Sequence, residues 1–374
     1  MNKKIRVPYN YLPFEFKKTS KIFSEWRKLI ISTDFTLGKF MENFEKEFAN
    51  YIGMKYCIGT NNGTDALILS LKALAVGKGD EVITVANTFY ATVGAIVECG
   101  AKPVFVDCDE RYQINENLIK EKITSKTKAI IPVHWGGASP NMNKIIKIAK
   151  KFSLSVVEDA CMGIGAKLYN KKPGTFGIVN AFSMHPLKSL NVMGDGGMVV
   201  TNNKKLYHWM KKYRNHGMID RNNIEFWGVN YRLQPLQAIV ASNQLKKLDQ
   251  VIKKRNSNAK YLDKLLSNIN KYIVIPSRPT HYKETFALYM ILAKDRDKLI
   301  YFLNDKLIEA KIHYPIPLHL QKASKIYGYR EGDYPVSERQ AKLLLTLPIH
   351  QFINKKQIDY MYQNIKAFYK INNE

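Results

Sequence analysis

Residues 81–107 read EVITVANTFYATVGAIVECGAKPVFVD. EVITV (81–85) and KPVFVD (102–107) are short β-branched runs, and the stretch 90–99 between them has the length of a helix. The same alternation extends outward in both directions. YCIGT (56–60), AIIPV (129–133) and SVVED (155–159) are further runs of this kind, separated by helix-length stretches at 64–76, 115–123 and 141–152. Strands alternating with helices at this spacing predict a mostly parallel sheet covered on both faces. NAFSM (180–184) and GMVVT (197–201) read as two more strands meeting at a turn. Upstream, FMENFEKEFANYIG (40–53) carries Phe40, Phe44, Phe48 and Ile52 at a helical period.

From about residue 250 the pattern changes. A long helix (249–267), the run FALYMILA (286–293), a helix after Arg296 and a closing helix near 355–370 describe a smaller α+β unit. The expected division is therefore a large α/β domain over 1–249, amino-terminal segment included, and a small domain over 250–374. A chain of 374 residues is long enough for both.

The four cysteines, Cys57, Cys99, Cys108 and Cys161, are scattered without C-x-x-C or paired-histidine spacing, so they read as reduced thiols and no metal site is expected. Neither a secretory h-region nor a run of 18 apolar residues occurs, which predicts a cytoplasmic protein without membrane contact. The net charge of +26 raises the question of nucleic acid, but the lysines are spread along the whole chain and no helix-turn-helix or aromatic-basic module is visible. A solvated basic surface, compatible with an anionic small substrate, is the reading that remains.

In such sheets ligands bind beyond the carboxyl ends of the strands. GTNNGTDAL (59–67) is a strand end, a turn and a helix start whose free amides and threonine hydroxyl can cradle a phosphate, although an ordinary capped helix reads the same way. Phe89, just past another strand end, can stack on a flat ring or belong to the core. Asp159 ends an apolar strand, where a carboxylate needs a cation or several donors. Gly163 and Gly165 lack the third glycine of a dinucleotide fingerprint. FSMHPLKSLNVMGDGG (182–197) sets Lys188 among apolar residues before a Gly-rich turn. Loss of hydration there lowers the amine's proton affinity, so that it can attack a carbonyl and form an imine. Phosphate cradle, ring stacker, ring-nitrogen acid and imine lysine, in this order, describe a pyridoxal phosphate site.

The chain resembles the DegT/StrS family of pyridoxal-phosphate aminotransferases, known for aminating keto-sugars attached to nucleotides. The motifs that carry the resemblance run nearly end to end: NNGTDAL, GDEVITVANTFYATVGAI, VEDACMGIGA, HPLKSLNVMGDGGMVVT, RNHG, GVNYRLQPLQA, HYPIPLHLQKA and LPIH. It implies the aspartate aminotransferase-like fold (fold type I). It also implies Lys188 as the lysine that holds the cofactor and Asp159 as the partner of its ring nitrogen. Gly63, Thr64 and Ser183 would bind the phosphate, and Phe89 would stack on the ring. Asn230, in GVNYR, matches an asparagine that reaches the cofactor phosphate of the neighbouring subunit, which implies a homodimer with shared active sites. His319 matches a residue close to the substrate. L-Glutamate is the implied amino donor.

One position departs from the pattern. Three residues beyond the aspartate the family has Gln or His facing the ring hydroxyl; here it is Met162, a very weak acceptor. Tolerated drift and a reshaped pocket both explain it. A small phosphorylated ketone is the alternative acceptor to a nucleotide sugar. The family's sugar dehydratases replace the lysine with histidine, and Lys188 is intact.

Overall fold

The computed structural model describes residues 6–370. Its strands are β1 (Tyr56–Thr60), β2 (Glu81–Val85), β3 (Lys102–Val106), β4 (Thr127–Ile131), β5 (Ser155–Asp159), the two-residue β6 (Lys167–Leu168), β7 (Val179–Ser183) and β8 (Gly197–Thr201). Seven of them form one sheet in the order β1-β8-β7-β5-β4-β2-β3. Every neighbour pair from β3 to β7 is parallel, and β8 alone is reversed, antiparallel to both β7 and β1. The βαβ reading of 81–107 holds: β2 and β3 pair in parallel across the helix Tyr90–Glu98.

The strands are apolar throughout because both faces are covered. In β2, Val82 faces a cluster with Ala66, Leu67, Ala95 and Ile96, while Ile83 and Val85 face Met142, Ile145 and Ala149. The helix Gly38–Ile52 closes the sheet near β1 and β8, burying Phe44 and Phe48 against Phe182 and Met198.

Two expectations shift. The strand placed at 129–133 begins earlier, running over Thr127–Ile131, and past Pro132 its pairing with β5 continues as a bridge of Val133 with Asp159, whose amide donates to Pro132 O and whose carbonyl accepts from the His134 amide (both 3.0 Å). The helix expected at 115–123 is only a single 3-10 turn, Lys120–Lys122. Asn115 there accepts from the Asn117 amide (3.1 Å) through its side chain, and its own amide donates to Asp107 O (2.9 Å), so local bonds displace the helical ladder.

After the helix Leu248–Leu266 a second core forms around β9 (Ile273–Val274), β11 (Tyr289–Ala293) and β12 (Leu344–Leu347), backed by the helices Arg296–Asp305 and Lys355–Phe368. The short β10 (Tyr282–Lys283) pairs with β6 in a separate two-stranded ribbon that ties this part to the segment after β5. Val7, in the stretch expected within the larger unit, pairs with Ile308 and is buried in this second core. No helix among the described residues is long and apolar enough to cross a membrane.

Candidate active site

Because β1, β2, β5 and β7 run the same way, their carboxyl ends open on one side of the sheet, and the residues that follow them converge there. After β1, the helix Gly63–Ala73 begins with Asn62 as its cap. The Asn62 side chain accepts from the Asp65 amide (2.8 Å), and its carbonyl takes the Ala66 amide (3.1 Å). The amides of Gly63 and Thr64, in the first turn, have no intrahelical acceptor. Gly63 has to be glycine: a Cβ there would meet Ser183 Cβ at 2.7 Å, Cys161 Sγ at 3.0 Å and Ser183 Oγ at 3.2 Å. The ends of β1, β5 and β7 therefore press together, with two free amides and a hydroxyl side by side at a positive helix end. An anion such as a phosphate fits this donor set.

Asp159, only 4% exposed, ends β5. Its Oδ2 accepts from Thr92 Oγ1 at 2.7 Å and its Oδ1 from the Cys161 amide at 3.2 Å. Lys188 lies in the 184–196 segment that joins β7 to β8, with its amide on His185 O (2.8 Å) and its carbonyl held by the hydroxyl of Tyr11 (2.7 Å). Burial lowers the proton affinity of its amine, against the opposing pull of Cys161 and Asp159. An amine so placed is deprotonated at lower pH than an ordinary lysine, the state in which it is a nucleophile and a base. Phe89 caps the helix Tyr90–Glu98, half-buried in an aromatic group with Tyr90 (3.9 Å between centroids) and Tyr314 (5.9 Å).

The sequence places this arrangement among known proteins. Residues 17–366 match the DegT/DnrJ/EryC1/StrS aminotransferase family. The chain belongs to that family. It is 39% identical over 341 residues to a Geobacillus stearothermophilus protein named pleiotropic regulatory protein, covering 91% of this chain and 92% of that one. It is 37% identical over 336 residues to the dTDP-3-amino-3,6-dideoxy-alpha-D-galactopyranose transaminase of Aneurinibacillus thermoaerophilus, covering 89% and 91%. The X-ray structure of S. venezuelae DesV in complex with a ketimine intermediate superposes with a TM-score of 0.95 at 31% identity, covering 99% of this chain and all of that one. The protein is a pyridoxal-phosphate-dependent aminotransferase of fold type I.

Within this DegT/StrS aminotransferase, Gly63, Ser183, Asp159 and Lys188 come together, and Thr64 follows in the same helical turn. Asn230 is exposed; its Oδ1 accepts from Arg232 Nε (2.9 Å), and its carbonyl accepts from Asn61 Nδ2 (3.1 Å). His319 is buried beside Tyr334 and Leu318, its Nε2 3.0 Å from Glu338 Oε1, and the Leu318 amide next to it donates to Ala86 O (2.8 Å) just past β2. Met162 adds its side chain to the apolar cluster that includes Phe89, Trp135 and Tyr314, so the position where the resemblance leads one to expect Gln or His presents an apolar surface.

Several site residues escaped the sequence reading. Thr92 was within the VANTFYAT stretch, one helical turn beyond Phe89, which was the available signal. Cys161, two residues after Asp159, had none. His313 is tied to β12 through Thr346 Oγ1 (3.0 Å), and its proton affinity is lowered to about 4 by burial and then by the charges of Lys188 and Lys311. Its imidazole is therefore neutral near pH 7.

Proposed function

We propose that this enzyme moves the amino group of L-glutamate onto a keto-sugar linked to a nucleotide, with Lys188 and Asp159 as its catalytic residues. The observation that carries the reading is the convergence of a desolvated lysine, a buried carboxylate and a glycine-tight anion cradle at the carboxyl ends of β1, β5 and β7. The motif set of the family and the activity named for the Aneurinibacillus relative support the substrate class.

Each residue then has a task. The amides of Gly63 and Thr64 and the hydroxyl of Ser183 would hold the cofactor phosphate, Phe89 would pack on the ring, and Asp159 would pair with the protonated ring nitrogen. Pyridoxal phosphate, when bound, supplies an electron sink for the pair released at the donor's α-carbon. Lys188 would hold the cofactor through its amine, and the same Nζ, when free, is the base that would take the proton from that α-carbon. The keto acid leaves before the acceptor enters, so initial rates should give the parallel double-reciprocal lines of a ping-pong enzyme. A panel of nucleoside-diphosphate keto-hexoses and small phosphorylated ketones, each with glutamate, tests the reading. Amination of a nucleotide-linked ketone is the expected result; turnover only of a small phosphorylated ketone would transfer the enzyme to that class.

We also propose a homodimer with shared sites. The helix Ser20–Ser32 packs Ile22 and Leu29 inward yet exposes Phe23, Ile30 and Ile31, the last at 77%, as surfaces that meet a partner do. Asn230 would reach the phosphate cradle of the second subunit. Mixing an inactive Lys188→Ala chain with an inactive Asn230→Ala chain should then restore activity, up to about a quarter of the wild-type sites after random exchange. Verified hybrid dimers without activity would place the whole site within one chain.

A further inference from the structure

Asp159 stands at the end of a row of buried hydroxyls. Thr92, fully buried in the helix Tyr90–Glu98, donates from Oγ1 to Asp159 Oδ2 at 2.7 Å. Thr88, equally withdrawn from solvent, places its Oγ1 3.4 Å from that of Thr92. Proton counting fixes the direction of the row. An ionised carboxylate only accepts, and a hydroxyl has a single proton to give. The proton of Thr92 is therefore committed to Asp159, and Thr88 is the donor to Thr92, so that each bond polarises the next toward the carboxylate. On the other oxygen, Oδ1 accepts from the Cys161 amide at 3.2 Å.

A carboxylate this deeply buried needs such donors or a cation beside it to offset its lost hydration. Lys188 and Cys161 are the titratable groups whose charges couple to Asp159. Glu158, its neighbour in sequence, is engaged separately: it accepts from the amides of Gly174, Phe176 and Gly177 and pairs with His134 Nε2 at 2.8 Å.

We propose that Thr92 is a positioning residue of the aminotransferase: its hydroxyl, backed by Thr88, fixes the orientation of the Asp159 carboxylate for the cationic ring nitrogen of the cofactor. This rests on the role given to Asp159 above. Thr92 touches no reacting atom and acts only through the carboxylate, which makes the role separable from simple packing.

The test is the dissociation constant of pyridoxal phosphate, measured by equilibrium dialysis for Thr92→Val and Thr92→Ser, each with Asp159 intact and with Asp159→Ala. With Asp159 present, Thr92→Val should weaken binding roughly ten- to a hundredfold, the range for a hydrogen bond to a charged group. It should lower kcat with much less change in the KM for the donor. Thr92→Ser, which keeps the hydroxyl, should stay within about threefold of wild type on the same reasoning. In the Asp159→Ala background, Thr92→Val should change the constant by less than about twofold, because the acceptor is gone. Thr88→Val, with a smaller loss and the same dependence on Asp159, carries the test if the Thr92→Val chain does not fold. An equal loss in both backgrounds, or a Thr92→Ser chain as impaired as Thr92→Val, would overturn the proposal. Unchanged cofactor binding and turnover in Asp159→Ala alone would instead remove the role of Asp159, and that of Thr92 with it.

Discussion

Replacing Lys188 by alanine should abolish transamination, with a loss of at least about 10³-fold, in the upper part of the range for a positioned acid-base group. The amine is held by a backbone that Tyr11 and His185 secure through the Lys188 carbonyl and amide, so truncating the side chain leaves those bonds in place. Burial has already reduced the amine's hold on its proton, so removing it relieves the fold of a desolvated charge. A normal circular dichroism spectrum and an undiminished melting temperature should therefore accompany the inactivity. Lys188→Arg should not rescue, because guanidinium keeps its proton at any working pH. Turnover within tenfold of wild type in Lys188→Ala would assign the proton transfer to another group.

The second large effect is expected at Asp159. Asp159→Asn keeps an oxygen for Thr92 but loses the negative charge that, in the role proposed for Asp159, holds a proton on the cofactor ring nitrogen. If a charge-stabilising contact worth about 3 kcal/mol disappears from the transition state, kcat falls by about 10²-fold. Asp159→Ala, which also strands the Thr92 hydroxyl, should fall at least as far. Single-turnover measurements with glutamate, followed by the absorbance of the bound cofactor, isolate this half-reaction from acceptor binding. Rates within a fewfold of wild type in Asp159→Asn would mean that another group pairs with the ring.

The parts of the fold legible in the sequence are those with repeated, redundant signals. Five β-branched runs spaced by helix-length intervals specify a mostly parallel sheet even though one of its strands begins two residues earlier, at Thr127. The interval 115–123 failed because length alone marked it as helical, while Asn115 bonds locally instead. At the site, Lys188 and Asp159 were legible because a charged group in an apolar run is costly and therefore informative. Thr92 was not: a threonine in a helix has several cheap local uses, and only the three-dimensional meeting of β5 with the helix Tyr90–Glu98 reveals its partner. The surroundings of His319, paired with Glu338 from the helix Pro335–Leu343, likewise depend on chain packing that no local pattern encodes.

The account turns on which lysine holds the cofactor, and the chain is rich in lysines. Lys172 is the instructive competitor: burial lowers its proton affinity too, but its ammonium lies over the Tyr51 ring at 4.0 Å and donates to the Tyr51 carbonyl. Reduction of the reconstituted enzyme with borohydride, followed by proteolysis and mass spectrometry of the modified peptide, decides between them. The account predicts bleaching of the yellow protein and a single pyridoxyl group on Lys188. A label on Lys172 or any other lysine, or a protein that stays colourless and unlabelled after incubation with pyridoxal phosphate, would contradict it.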